Sequence, residues 1–311
     1  DVFDLIQGNR IELIDPSDGS MVERELPRFD TIVSNLPFVR FETIAQFNPG
    51  AREAVSDRLS GKALDGRTDL FGYILVFLES LVNDEGQIGL IVSNSWLGSM
   101  WGIELRARLA DVFHVETVVT SGSGRWFSNA DVVGNLIILS RKGASSGRTS
   151  FITTRRRLDE WDTDFIERVF IADRSKKNHS DDDLNVRVYA QKDVDEIEKV
   201  IVGWSAFFAD VSWVKSISNF LVSASDYLEI GRGYRKGWND MFYPDPRSVA
   251  EYGIEDDYLK PVLKDVRGFT TWEAKVEKAD GESVVHGFSC SVEEHELDPS
   301  SGALRWIKRF W

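Results

Sequence analysis

The sequence predicts an α/β fold in its first half and a separate α+β domain in its second. Three observations carry this. Short apolar runs alternate with stretches of helical period between residues 2 and 140, which argues for strands joined by helices in a sheet that is parallel in the main. One run, 88–92, is apolar almost throughout, as in a strand covered on both faces. A small, polar stretch, Arg141-Lys142-Gly143-Ala144-Ser145-Ser146-Gly147, then separates this pattern from a less periodic remainder and reads as a linker. The expected domains are residues 1–142 and 148–311.

The elements follow in order. Residues 2–6 are a short apolar segment ending in Gln7-Gly8-Asn9. Residues 28–33 form a second strand. Thr68 is placed to cap a helix over 69–82, whose apolar positions include Leu70, Phe71, Ile74, Leu75 and Leu78. Asn83-Asp84-Glu85-Gly86 ends it. After strand 88–92, Ser93-Asn94-Ser95 caps a helix over 96–113. Strands at 115–120 and 132–140 are joined by a glycine-rich, aromatic loop, 121–129. Beyond the linker come a charged segment, 155–180, a helix over 194–207, and short segments broken by Gly and Pro after Tyr227. No internal repeat is present.

Composition bounds the function. The 311 residues are 42% hydrophobic, ample for a core. The longest apolar run, 70–82, is interrupted by Glu79 and too short to span a bilayer, so no membrane partner is expected. Asp1, Asp4 and Gln7 stand where a secretory leader needs basic and then apolar residues. A single cysteine, Cys290, excludes an internal disulfide and a Cys-based zinc cluster. The four His lie at no ligand spacing, so no metal is expected; His114 and His286 read as structural. A cytoplasmic chain is the expectation.

The net charge of −14 argues against a nucleic-acid partner, because phosphates attract Lys and Arg. A basic cleft on an acidic body escapes that argument, since the field that matters is local. No Lys precedes Lys62. A high-salt cytoplasm selects such a Lys-poor, acidic composition, and GC-rich coding produces the same replacement of Lys by Arg.

The most informative stretch is Ser34-Asn35-Leu36-Pro37-Phe38, where an apolar strand runs into an amide, a proline and a ring. The amide and nearby carbonyls can accept hydrogen bonds from an exocyclic amino group while the ring stacks on the base carrying it. A plain strand-to-turn junction uses the same residue types. Asn35-Leu36-Pro37-Phe38 resembles the Asn-Pro-Pro-Tyr/Phe motif of amino-methylating DNA methyltransferases. Leu36 replaces the first proline; Pro37 still restricts it to an extended backbone.

Further stretches carry the resemblance. Gly8 and Asn9 are similar to the strand end that approaches the adenine of S-adenosylmethionine in that family. Asp69-Leu70-Phe71 resembles its Asp-Leu-Tyr/Phe, which lines the cofactor pocket. Ile88-Gly89-Leu90-Ile91-Val92-Ser93-Asn94-Ser95-Trp96-Leu97 resembles its Gly-Phe-Ile-Val-Pro-Asn-Ser-Trp-Leu segment. Arg125-Trp126-Phe127 is similar to the loop placed near the flipped base, with Arg125 and Trp126 as DNA contacts. Arg232, Tyr234, Arg235, Lys236 and Trp238 combine basic and aromatic residues in a Gly-rich turn, which suits phosphate and base contacts or a solvated hairpin turn. The resemblance gives this turn to DNA, and Leu259-Lys260-Pro261-Val262-Leu263-Lys264-Asp265 resembles the Lys-Pro-Leu-Leu-Arg segment of the family's target-recognition part. Arg155-Arg156-Arg157 is a weaker candidate, because a charge run is usually a solvated face.

The resemblance implies a Rossmann-like S-adenosylmethionine-dependent methyltransferase sheet followed by an α+β target-recognition domain. It is strongest with single-chain adenine-N6 enzymes of restriction-modification systems. It implies double-stranded DNA as partner, S-adenosylmethionine as cofactor at Gly8, Asn9, Asn35, Asp69 and Phe71, and catalysis at Asn35, Leu36, Pro37 and Phe38. Asn35, rather than Ser or Asp, points to adenine within the family. The family's glycine-rich loop and ribose-binding acid are expected upstream of Val2, and further sequence beyond Trp311, so part of the cofactor site is expected to be missing. Two alternatives stay open: a cytosine-N4 methyltransferase, and a DNA-binding remnant without catalysis.

Overall fold

The computed structural model of the chain describes residues 3, 5, 9–47, 49–50, 64–127, 132–144, 147–229, 239–263 and 284–310. Two compact units are present, Asp1–Val222 and Ser223–Trp311.

The first unit is built on a seven-stranded sheet of order β3-β4-β6-β5-β7-β9-β8. Its strands are β3 (Phe29–Asn35), β4 (Val82–Ser93), β5 (Phe113–Ser121), β6 (Gly134–Arg141), β7 (Arg148–Thr154), β8 (His179–Ser180) and β9 (Leu184–Ala190). β1 (Arg10–Ile14) and β2 (Met21–Glu25) form a separate hairpin. The hairpin turns at Asp18-Gly19, where Gly19 has φ +76°, a conformation that favours glycine.

The sheet is mixed, which corrects the mainly parallel expectation. β3–β4 and β5–β7 are parallel, while β6 lies antiparallel between β4 and β5, and β9 is antiparallel to β7 and β8. Apolar runs look alike in either direction, so composition carries no sign of an inserted strand. The expected boundary at 142/148 is also corrected. Residues 142–147 connect two strands of one sheet, and the units divide at Val222. β9 reads Leu-Asn-Val-Arg-Val-Tyr-Ala, an alternation that signals a strand.

Helix α1 (Leu70–Leu78) is buried all round, as a helix apolar on every face must be. Asp69, not Thr68, occupies its N-cap, and the chain is already in β4 at Val82. Helix α2 (Met100–Val112) is capped by Ser99, whose hydroxyl accepts from Gly102 N at 3.1 Å. α3 (Thr163–Ser175) arises within the charged segment, capped by Asp162, which accepts from Phe165 N at 2.7 Å. α4 (Gln191–Glu198) is shorter than the predicted helix and is followed by a 3₁₀ turn, Trp204–Phe208.

Alternate residues of the strands feed two cores. Val118 and Phe151 pack with α1, Leu105 and Ile197. Val119 and Ile152 pack with Phe165 and Trp126 on the other side. At the β3 edge this second covering is lacking among the described residues. Val33 is 79% exposed, and Gly89 and Ile91 of β4 are only half-buried.

The second unit pairs β10 (Leu259–Leu263) with β11 (Val284–Phe288). With them lie α5 (Pro246–Tyr252) and α6 (Gly302–Lys308), around Trp306, Phe288 and Ile254. The Glu255 carboxylate accepts from Gly302 N and Ala303 N at 2.7 and 3.0 Å, satisfying the start of α6. No described helix is long and apolar enough to cross a membrane.

Candidate active site

Four chain segments meet where β3 and β4 end. The strands are parallel, with Asn35 opposite Ile91, and Leu36 N donates to Ile91 O at 3.0 Å. Asn35 and Ser93 therefore emerge at the same edge of the sheet. Antiparallel β6 begins there too: Ser93 pairs with Gly134, and Asn94 N donates to Val133 O at 2.9 Å. Helix α1 starts at this edge, with Leu70 N donating to Val39 O at 3.0 Å. Ligands of α/β sheets sit outside the carboxyl ends of strands, and this edge is such a place.

A cavity of about 930 Å³ opens here. One lip is the segment from Asn35 to Arg40, and the other is Ser93-Asn94-Ser95. Asp69 and Phe71 line it beneath, and Phe127 and Val132 lie at the β6 side. Asn35 is exposed, and its amide makes no hydrogen bond among the described residues. The Leu36 side chain is buried, so only its backbone is left to meet a ligand. Phe38 is half-buried, 6.0 Å from the Phe127 ring centroid at 44°. The spacing falls within the range of interacting ring pairs.

Asp69 joins the two lips. Its Oδ1 accepts from Phe41 N at 3.1 Å and its Oδ2 from the Ser95 hydroxyl at 2.8 Å. The Ser95 hydroxyl also lies 2.6 Å from that of Ser93. Burial pushes the Asp69 carboxyl above the usual carboxylate range, against the lowering effect of the Ser95 and Phe41 hydrogen bonds.

The Ser93–Leu97 turn is also held from behind. Buried Arg106 donates to Trp96 O at 2.6 Å, Leu97 O at 3.3 Å and Val202 O at 2.9 Å, and pairs with Glu198 at 3.2 Å. The backbone of α2 approaches so closely that a Cβ on Gly102 would lie 2.0 Å from the Trp96 oxygen. Arg106 was not singled out by sequence. The available signal was a charged residue among Trp101, Leu105 and Leu109 on an apolar helix face.

The structure thus gathers Asn35, Leu36, Pro37, Phe38, Asp69 and Phe71 around one cavity. Phe71 is almost fully buried, its ring 5.5 Å from Trp101. Asn9 is not gathered. It is exposed and leads into the β1–β2 hairpin rather than ending a strand of the sheet, its carbonyl accepting from Leu26 N at 2.8 Å. Trp126 is a core residue, not a surface contact: it packs with Val119, Ile152 and Phe165, its ring 6.0 Å from Trp161. Arg125 beside it is exposed. Arg156 pairs with Asp183 at 2.8 Å and Arg157 with Asp159 at 3.1 Å, so part of that basic run is internally compensated. Gly8, Arg232, Tyr234, Arg235, Lys236 and Trp238 lie outside the described residues. Among the described residues no three of His, Cys, Asp and Glu converge as metal ligands.

Comparison with known proteins adds the following. Residues 12–234 match the family described as N-6 DNA Methylase. Among solved structures, the type I restriction-modification methyltransferase subunit from Streptococcus thermophilus is 15% identical, with 57% of this chain and 37% of that chain covered and a TM-score of 0.43. The type IIG restriction endonuclease BpuSI is 17% identical, with 99% of this chain and 34% of that chain covered and a TM-score of 0.48. The M protein of the type I restriction enzyme EcoKI is 14% identical, with 57% of this chain and 42% of that chain covered and a TM-score of 0.33. The chain spans 34% to 42% of the length of these three structures.

Proposed function

Because the chain belongs to the N-6 DNA methylase family, its match covering more than half of the residues, we propose that it supplies the catalytic region of a cytoplasmic restriction-modification enzyme that methylates N6 of adenine in double-stranded DNA. The observation that carries this is the lip of the cavity: an exposed Asn35 amide and the half-buried Phe38 ring line it together, with Phe127 6.0 Å from Phe38. S-adenosylmethionine supplies a methyl group activated by its sulfonium. Asn35, Asp69 and Phe71 fit one wall of a site for it, since they line a cavity that combines a buried carboxyl, an aromatic ring and polar rims.

The chain's own residues do the rest by positioning. The adenine amine is a weak nucleophile because its lone pair is delocalised into the ring. Acceptors at the Asn35 side-chain oxygen and the Leu36 carbonyl hold its two hydrogens and favour a tetrahedral nitrogen, aiming the lone pair at the methyl group. Phe38 stacks on the extruded base. We assign Arg125 and the basic turn with Arg232, Tyr234, Arg235, Lys236 and Trp238 to DNA contact, and the second unit to target recognition, on the sequence resemblance.

The test is methyl transfer. The full-length protein, incubated with methyl-labelled S-adenosylmethionine and unmethylated DNA, should yield N6-methyladenine on nucleoside analysis. Asn35→Ala should abolish turnover and leave DNA binding intact. Label in N4-methylcytosine, or unchanged turnover by the variant, would overturn the assignment.

A further inference from the structure

Arg40 stands at the mouth of the cavity, two residues beyond Phe38 on the same lip. Among the described lining residues only Arg40 and Asp69 carry charge. Asp69 is buried, and both its oxygens are occupied by Phe41 N and Ser95 Oγ. Arg40 is the opposite case. Its side chain is 70% exposed, and among the described residues its ionic partner is Glu42, at 3.3 Å on the surface. Exposed pairs of this kind contribute little and exchange readily.

A base that enters this cavity brings its sugar and flanking phosphates to the rim. Two residues of chain span at most about 7 Å, so a guanidinium at position 40 lies within reach of the backbone of a nucleotide stacked on Phe38. Arginine presents a planar fork of donors that matches a phosphodiester. Resting on the methyltransferase reading above, we propose that Arg40 clamps a DNA phosphate next to the extruded nucleotide, with Glu42 as the surface partner it leaves on binding. The contact positions the strand and reads no sequence.

The experiment uses the full-length protein, a fluorescently labelled random-sequence duplex carrying one mismatched adenine, which lowers the cost of extrusion, and S-adenosylmethionine titrated separately. Arg40→Ala should weaken duplex binding about tenfold and flatten its salt dependence by about one ion, as expected for one lost phosphate contact. Cofactor affinity and melting temperature should stay at the wild-type values. Arg40→Lys should restore the salt slope but not the full affinity. Glu42→Gln should strengthen binding about twofold, and only while Arg40 is present. Wild-type duplex affinity and slope in Arg40→Ala would overturn the clamp and leave the methyltransferase reading intact. Lost cofactor affinity in that variant would also overturn it, placing the guanidinium on the cofactor's carboxylate. A wild-type protein that binds no duplex would overturn the proposed function and the clamp together.

Discussion

The Ser95 hydroxyl donates to Asp69 at 2.8 Å, so the turn after β4 and the start of α1 share one carboxylate. Phe41 N uses the other oxygen. Three segments distant in sequence are thereby held by a single side chain.

Removing that side chain should loosen all three. Asp69→Ala leaves the Phe41 N–H and Ser95 hydroxyl without their acceptor, at a cost of about 1–3 kcal/mol in urea denaturation. The pH dependence has a definite sign. The Asp69 carboxyl is held above its ordinary value in the fold, chiefly by burial. Its favourable contribution is therefore complete below the unfolded carboxylate range and is lost as pH rises through the folded value. Asp69→Asn removes this loss. Denaturation at several acidic pH values should show the variant gaining on the wild type as pH rises; parallel curves would refute the account.

Arg106→Met should destabilise by about 3 kcal/mol, because the Trp96, Leu97 and Val202 carbonyls lose a donor and Glu198 loses its charge partner. Lys has one ammonium in place of the fork and should rescue little. Equal melting temperatures for Arg106→Lys and wild type would contradict the clamp seen at the Ser93–Leu97 turn.

Neighbouring rings should separate by assay. Trp126→Ala empties a core position and should cost about 3–5 kcal/mol of stability. Phe127→Ala, half-buried at the cavity and at the margin of the same core, should cost clearly less stability than Trp126→Ala while turnover falls about tenfold or more. Loss of DNA affinity in a stably folded Trp126→Ala protein would restore the surface role that the sequence suggested.

The lip 35–38 was legible because its chemistry is local: an amide, a proline and a ring at the end of an apolar run declare themselves within five residues. The 88–92 half of β4 and the helix at α1 were legible for the same reason, through apolar runs, whereas the polar first part of β4, 83–86, read as a helix end and not as strand. What was not legible depends on partners far along the chain. Trp126 looks like a surface aromatic beside Arg125 until β7 and α3 supply Ile152 and Phe165 around it. Arg106 is an ordinary helical arginine until Trp96 O and Val202 O converge on it. The boundary at 142/148 failed because a small, polar loop has the same composition whether it joins domains or strands of one sheet.

The position of β6 has a consequence for how the protein is made. β6 follows β5 in sequence yet lies between β4 and β5, and β4 and β5 are joined in the ladder through it. Such non-local pairing is slow to form. During synthesis, β4 and β5 emerge with a gap between them that closes only when residues 134–141 arrive. Until then Ser93 has no Gly134 beside it, and the wall carrying Phe127 and Val132 is not attached. The nascent chain therefore displays the Asn35 lip well before it owns a cavity, and the candidate site is complete only once that one inner strand is inserted.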